Sequence, residues 1–220
     1  MPLMTRNAPA AANFELIHAD EALLVVNKPS GLLSVPGRGA DKQDCLISRV
    51  QAIYADALIV HRLDCDTSGV LVVARGKAMH RELSILFQER LVDKRYVAVV
   101  AGAFTEPAGE VCLPLIVDWP NRPLHIVDFA SGKPSLTHYR VLGFDATSDT
   151  SRVELIPETG RTHQLRVHMQ ALGHPILGDT LYADTVARAK AGRLLLHAEM
   201  LAFTHPKSGA AMRFCCPPPF

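Results

Sequence analysis

Runs of consecutive apolar residues alternate with polar segments in the first half of the chain. Residues 23–26, 57–60 and 70–74 are short apolar runs, with the length and β-branched composition of buried strands. Residues 44–54 repeat apolar positions at helical spacing, and residues 77–90 do the same with charged residues on the opposite face. The pattern therefore predicts three buried strands and two amphipathic helices.

Strand patterns dominate the second half of the chain. They follow one another, with a proline-rich connection at 118–123, near residues 95–100, 124–129, 134–144, 151–156, 194–204 and 211–214. A short helix opens after residues 159–162, where we expect Thr162 to be the cap, and it ends at Gly173. No repeat and no polar linker divides the chain. We expect an α+β (mixed α/β) fold in one domain at 14–220, with two lobes around a cleft, after a flexible N-terminus at 1–13.

Composition narrows the classes of protein that fit. With 48% hydrophobic residues the chain is globular, and it has neither an apolar run long enough to span a membrane nor a secretory signal, so we expect it in the cytoplasm. Its net charge of +1 says nothing about a polyanionic partner. Five cysteines without a Cys-x-x-Cys spacing predict reduced thiols, with neither a disulfide framework nor a zinc site.

The densest polar segment, residues 61–69 (HRLDCDTSG), lies between two of the predicted strands. Such connections often present catalytic groups. Asp64 and Asp66 either share a proton as acid and base, or one is a nucleophile while the other caps the turn. Alternatively, Asp66 only begins a hydrogen-bonded turn. Arg62 either keeps Asp64 ionised, reaches a phosphate or an extruded base, or is an ordinary surface side chain.

A second polar cluster, residues 159–168 (TGRTHQLRVH), lies at the predicted start of the short helix. Helix N-termini bind anions, so the cluster is either a binding site or a solvated basic helix, and we favour the site. Arg166 is placed to pair with a buried carboxylate supplied from elsewhere in the chain. The spacing of His163 and His168 does not suit a metal, and we expect none.

Taken in order, the motifs resemble those of the RluA family of RNA pseudouridine synthases. The resemblance runs from about residue 14 to the end of the chain. It rests on the segments 27–37 (NKPSGLLSVPG), 61–69, 94–96 (KRY), 118–123 (DWPNRP), 160–168, 174–179 (HPILGD) and 195–199 (LLHAE). Several separated motifs in the right order make the resemblance far more specific than any one of them.

The resemblance implies a cofactor-free isomerase that detaches uracil from its ribose, turns it, and rejoins it through carbon. Asp64 is then the catalytic carboxylate, acting as a nucleophile or in forming a glycal-like intermediate. Tyr96 stacks on the uracil and is a candidate to take the ribose proton, and Arg166 pairs with Asp64. The implied fold is a mixed, largely antiparallel central sheet with flanking helices and a central cleft.

The resemblance also implies how RNA is bound. Because a stacked base must be flipped out before its glycosidic bond is reached, Arg62 is expected to take the vacated space. The other expected RNA or base contacts are His61, Thr67, Arg161, His163, Gln164 and one of the pair Leu195 and Leu196. The expected substrates are a uridine in a 23S rRNA hairpin and one in a tRNA anticodon stem-loop. We expect a monomer with no obligatory protein partner and no N-terminal S4 RNA-binding domain.

The sequence alone leaves two alternative functions from other classes of protein. Residues 66–69 (DTSG) match the short signature of aspartic proteases, and residues 176–178 (ILG) match the segment that follows it in such enzymes. The chain has no second copy of that signature, which a monomeric protease requires. A non-catalytic RNA-binding module is the other alternative, although the presence of Asp64, Tyr96 and Arg166 together argues against it.

Overall fold

A computed structural model describes residues 14–220, and the expectation of a flexible segment at 1–13 lies outside them. Twelve strands and four α-helices are found in the described chain. The strands are β1 (Glu15–Ala19), β2 (Leu23–Lys28), β3 (Ala57–Ile59), β4 (Ser68–Arg75), β5 (Asp93–Ala101), β6 (Ala108–Cys112), β7 (Leu115–Val117), β8 (His125–Val127), β9 (Leu136–Asp145), β10 (Thr150–Pro157), β11 (Leu196–Thr204) and β12 (Ala211–Cys215). The helices are α1 (Leu46–Gln51), α2 (Gly76–Gln88), α3 (Gln164–Ala171) and α4 (Thr185–Ala189).

The described chain forms two compact units, and the first contains residues 14–94 and Ala198–Pro219. In this unit β4 pairs antiparallel with β2 along one edge and with β3 along the other. Strand β1 extends the sheet beyond β2, and β11 pairs antiparallel with β12. The polar segment at 61–67 thus lies on the connection between two paired strands, as the sequence predicts.

The core of the first unit explains why these segments are strands. Val25, Val70 and Val72 are buried, and they pack with Leu83 of α2 and Phe203 of β11 in one apolar cluster. The apolar face of α2 covers the sheet, while its charged residues stay in solvent. Burial of such side chains contributes on the order of 2 kcal/mol each. The cluster therefore holds β4, which follows the polar segment, and Leu58 of β3, which precedes it, packs against the cluster.

The second unit contains Arg95–His197. Its strands lie in the order β5-β10-β9-β6, all antiparallel, and β7 and β8 form a separate hairpin. Helix α3 buries Leu165 and Met169 in an apolar cluster with residues of β5 and β10 such as Ala98 and Leu155. This packing fixes the polar residues that α3 carries.

Most of the predicted elements are present with shifted ends, but three differences matter. Helix α1 is shorter than the predicted 44–54, and β1, β6, β7 and α4 were not predicted. The expectation that Thr162 caps α3 is wrong, because His163 occupies the N-cap position in a left-handed conformation with φ of 57°.

The expectation of one domain at 14–220 stays a prediction. No helix among the described residues is long and apolar enough to span a membrane.

Candidate active site

The candidate catalytic carboxylate belongs to what we call the Asp64 loop, residues 60–67 of the first unit. The loop joins β3 to β4, and Asp64 is half-buried within it. Its neighbour Leu63 is buried in the interior. The loop therefore starts and ends on paired strands and is anchored by an apolar side chain next to the carboxylate.

A second segment, the strap (residues 28–34), fixes the backbone of the Asp64 loop on both sides of Asp64. The Ser34 hydroxyl donates to the carbonyl of Leu63 at 2.6 Å and accepts the Leu63 N–H at 3.1 Å. Beyond Asp64, the Gly31 N–H donates to the carbonyl of Cys65 at 3.0 Å, and the Ser30 hydroxyl donates to the carbonyl of Asp66 at 2.7 Å. The backbone around Asp64 is thus held by a neighbouring segment.

Lys28, at the start of the strap, is a fully buried cation. Its ammonium group donates to the carbonyls of Pro29 at 2.8 Å, Leu32 at 2.7 Å and Cys65 at 2.8 Å. A buried charge is costly unless it is hydrogen-bonded, and an ammonium has three donors. Lys28 therefore ties the turn at 29–32 to the Asp64 loop at a point directly after Asp64.

His61 supports the loop with its ring. The Nε2 atom of His61 accepts the N–H of Val72 at 3.1 Å, and the ring stacks on Phe87 with centroids 4.3 Å apart. Burial, and to a lesser degree the charge of Lys94, lowers the pKa of His61 to about 3. The imidazole is therefore neutral at pH 7. These contacts give His61 a structural role in the loop, and its contact with RNA stays a prediction.

Arg62 and Thr67 differ sharply in exposure. The side chain of Arg62 is exposed, which suits a group that reaches RNA. The side chain of Thr67 is buried, and its hydroxyl has no hydrogen-bond partner among residues 14–220. Of these two predicted RNA contacts, the structure therefore favours Arg62.

Gly69 closes the polar segment where β4 begins. It has φ of 120°, and a Cβ atom there would collide with the backbone of Ala198 in β11. Only glycine allows this close approach of two backbones without strain. Glycine is thus required at this position of the motif for a steric reason, independent of any catalytic role.

In the second unit, Arg166 of α3 forms a buried ion pair. Its Nε atom lies 2.8 Å from Asp179 Oδ2 and its Nη2 atom 2.6 Å from Asp179 Oδ1, so the guanidinium is held in two places. Asp179 Oδ1 also accepts the N–H groups of Leu181 and Tyr182. The prediction that Arg166 meets a buried carboxylate from elsewhere in the chain is confirmed. Its pairing with Asp64 stays a prediction.

The ring of Tyr182 connects this ion pair to the start of α3. The Arg166 guanidinium lies 5.1 Å from the Tyr182 ring centroid. The Tyr182 hydroxyl lies 2.7 Å from His163 Nδ1 and accepts the His125 N–H at 2.9 Å. His163 is therefore only partly available to RNA, since one ring nitrogen is engaged with a protein hydroxyl.

The side-chain amide of Gln164 forms hydrogen bonds within the protein. Its Oε1 atom accepts from the Thr159 hydroxyl at 2.8 Å and from the Arg161 N–H at 3.0 Å. Its Nε2 atom donates to the Leu136 carbonyl at 3.0 Å and to the Thr137 hydroxyl at 2.9 Å. All four hydrogen-bonding positions of the buried amide are filled. Gln164 therefore stabilises the start of α3, and its contact with RNA stays a prediction.

The remaining predicted residues divide by exposure. Arg161 is exposed, and its Nε atom donates to the carbonyl of Pro134 at 3.3 Å. Tyr96 is half-buried and packs against the apolar cluster of the second unit. Leu196 is buried in that cluster, whereas Leu195 is only partly buried against it. Leu195 is accordingly the better candidate for the wall of a base pocket.

Sequence reasoning missed the roles of Ser34, Asp179 and Tyr182 and gave no role to Lys28. One signal was available for Lys28, since it lies two positions after Val26 and so shares a face of the strand with that apolar residue. The partner of Arg166 carries no such signal, because it lies 13 positions away. Among the described residues, no group of three or more His, Cys, Asp or Glu side chains is placed to hold a metal ion.

Comparison with known proteins identifies relatives across the whole chain. The model of the family described as RNA pseudouridylate synthase matches residues 22–171. The protein named "Dual-specificity RNA pseudouridine synthase RluA" of Escherichia coli (strain K12) is 53% identical over 220 residues, with all of both chains covered. The protein of the same name from Pasteurella multocida (strain Pm70) is 48% identical, again over the full length of both chains.

Two solved structures share the fold. "Human RNA Pseudouridylate Synthase Domain Containing 1" has a TM-score of 0.79 and 31% identity, covering 98% of this chain and 87% of its own. "Human RNA Pseudouridylate Synthase Domain Containing 4" has a TM-score of 0.74 and 28% identity, covering 93% of this chain and 88% of its own. The expected fold class, a largely antiparallel sheet with flanking helices, is thereby confirmed.

Proposed function

The chain belongs to the RNA pseudouridylate synthase family, and we propose that it isomerises uridines in two kinds of RNA, a 23S rRNA hairpin and a tRNA anticodon stem-loop. It is an isomerase, an RNA pseudouridine synthase of the RluA family. Two substrates are supported by the words "dual-specificity" in the names of full-length relatives. An enzyme that reads the folded shape of an RNA loop is able to accept loops from different molecules.

The catalytic group in this proposal is Asp64. The reaction breaks the bond from the ribose to N1 of uracil and forms one from the ribose to C5, so no atom is gained or lost overall. Asp64 assists as a nucleophile or by forming a glycal-like intermediate. The observation that carries this assignment is the Asp64 loop itself, whose backbone is anchored immediately before and after Asp64. A carboxylate held in place needs less reorganisation to reach the transition state.

Tyr96 and Arg166 have supporting roles in the proposal. Tyr96 stacks on the flipped uracil and is our candidate for the group that takes a proton from the ribose. Arg166 pairs with Asp64 and keeps it ionised, as an attacking carboxylate requires. The contacts of Asp179 with two guanidinium nitrogens support this role, because they hold Arg166 in one orientation.

Three exposed or partly exposed side chains remain as RNA contacts. Arg62 fills the space that the flipped base leaves, and Arg161 meets the phosphate backbone. His163, at the start of α3, is the third of these contacts. The wall of the base pocket is Leu195. Thr67 is a further proposed contact, although it is buried, because its hydroxyl has no hydrogen-bond partner among the described residues.

We further propose that the enzyme works as a monomer in the cytoplasm, without a cofactor or a protein partner. The family match leaves the aspartic-protease alternative without support. It also favours a catalyst over a pure binding module, since the proposed catalytic residues are all present.

Pseudouridine mapping tests the proposal. In-vitro transcripts of 23S rRNA and of tRNAs, which contain no pseudouridine, are incubated with the wild type or with Asp64→Asn, treated with carbodiimide, and read by primer extension. We expect wild-type-dependent stops in both RNA classes. Stops in one class would limit the substrate range to that class. The absence of stops, together with RNA binding, would return the chain to the binding-module alternative.

A further inference from the structure

We propose that Ser34 is a positioning residue for the reaction, fixing the peptide that carries Asp64. The inference rests on the proposed catalytic role of Asp64. The Ser34 hydroxyl is buried, and it both donates to and accepts from the backbone of Leu63. One hydroxyl thereby holds both polar groups of the residue that precedes Asp64.

The position of these two bonds gives them their effect. The carbonyl of Leu63 belongs to the peptide plane that contains the nitrogen of Asp64 and ends at its Cα atom. Anchoring that plane restricts the direction in which the Asp64 side chain leaves the backbone. On the other side of Asp64, Lys28 and Gly31 both donate to the carbonyl of Cys65. Ser34 is therefore the part of the strap that fixes the entry to Asp64, while Lys28 and Gly31 fix the exit.

Ser34 is itself held by the start of α1. The N–H of Ile47 donates to the Ser34 carbonyl at 3.3 Å, and the N–H of Leu46 donates to the Leu33 carbonyl at 2.7 Å. The first-turn N–H groups of a helix have no partner within it, so these bonds satisfy two of them. Leu46 and Ile47 also anchor α1 in the interior. The orientation of Asp64 is accordingly linked through Ser34 to a buried helix.

Replacement of Ser34 separates positioning from folding when it is compared with a matched control. Ser34→Ala removes both bonds. Ser151→Ala is the control, because Ser151 is equally buried and its hydroxyl donates to the Gly102 carbonyl at 2.7 Å, in the second unit. Either change removes a hydrogen bond from a buried hydroxyl to a backbone carbonyl and is expected to lower the urea midpoint of unfolding. Only Ser34→Ala is expected to slow the chemical step.

The experiment measures three quantities for each variant: the single-turnover rate at saturating anticodon stem-loop RNA, the Kd for that RNA, and urea stability. We expect Ser34→Ala to be slower by about 30–100-fold, since a misplacement of about 1 Å costs on the order of 100-fold, with Kd unchanged within about threefold. Ser151→Ala keeps the wild-type rate. Ser34→Thr, which retains the hydroxyl, recovers most of the lost rate.

Other results would overturn the inference. Equal rates for Ser34→Ala and Ser151→Ala would give Ser34 a structural role only, and so would a rate loss that tracks the unfolded fraction. If Ser34→Ala does not fold, Ser34→Cys has a similar size with a weaker hydrogen bond, and a rate equal to the wild type would reject the inference. Asp64→Asn in the same assay separates the two proposals, because turnover by that variant would refute the role of Asp64 itself.

Discussion

The Asp64 loop and the start of α3 are both polar motifs, but they are held in different ways. The backbone of the loop is fixed by the strap, through hydrogen bonds from the side chains of Lys28, Ser30 and Ser34 to carbonyls of the loop. At α3 the polar side chains hold the structure themselves, as Gln164 and Arg166 demonstrate with their buried partners. A polar side chain whose hydrogen-bonding positions are all filled within the protein, as those of Gln164 are, is therefore a weaker candidate for a contact with RNA.

The largest expected effect on stability tests the side-chain support at α3. Asp179→Ala leaves the buried guanidinium of Arg166 without its carboxylate, which should lower the free energy of unfolding by about 3–5 kcal/mol. Urea denaturation measures this loss. Asp44→Ala is the matched control, because it also removes a carboxylate from an arginine, and its pair with Arg49 is exposed on the Asp44 side, so it should contribute little. Equal losses for the two variants would contradict the importance of the buried pair.

A somewhat smaller effect is expected at Gln164. Gln164→Ala removes the four hydrogen bonds of a buried side-chain amide and should cost about 2–3 kcal/mol. The comparison is sharpened by measuring RNA affinity at a temperature where the variant is fully folded. Normal stability combined with a weakened affinity for RNA would restore Gln164 as an RNA contact and weaken the contrast between the two motifs.

The smallest effect is the pH dependence that His61 contributes. Its pKa is about 3 in the folded protein and about 6.5 in the unfolded chain. The stabilisation from neutral His61 is complete above pH 6.5 and is lost as the pH falls toward 3, by up to about 1.4 kcal/mol per pH unit. The difference in unfolding free energy between the wild type and His61→Leu, measured from pH 7.5 to 5, isolates this contribution. A difference that stays constant over this range would contradict it.

The strands that flank the Asp64 loop were predictable because their burial depends on local apolar runs, which the sequence displays directly. The N-cap of α3, His163, was not predictable in this way. The Thr159 hydroxyl and the Arg161 N–H, which precede the helix, instead bond the side chain of Gln164 inside it. The partner of Arg166 was predictable as a type of residue, a buried carboxylate, but not as Asp179. Long-range pairs of this kind depend on how distant segments pack, and apolar spacing does not encode that.

The strap shows the same limit. Its turn residues were evident, since Gly31 has the positive φ that such a turn requires. Its effect on Asp64 was not, because the hydrogen bonds from Lys28 and Ser34 join positions about 30 residues apart in the chain and end on backbone atoms. Every residue has the same backbone carbonyl, so the residue type does not show which carbonyl accepts a hydrogen bond.

The measurement that tests the account most directly is release of tritium from C5-labelled uridine in an anticodon stem-loop, because C5 loses its hydrogen when it bonds to the ribose. Asp64→Asn and Asp66→Asn are compared in single turnover, with RNA binding measured in parallel. The account predicts that Asp64→Asn binds RNA but is slowed by at least about 10⁴-fold, while Asp66→Asn retains much of the activity. Release by Asp64→Asn at the wild-type rate would contradict the assignment of Asp64 as the catalytic carboxylate.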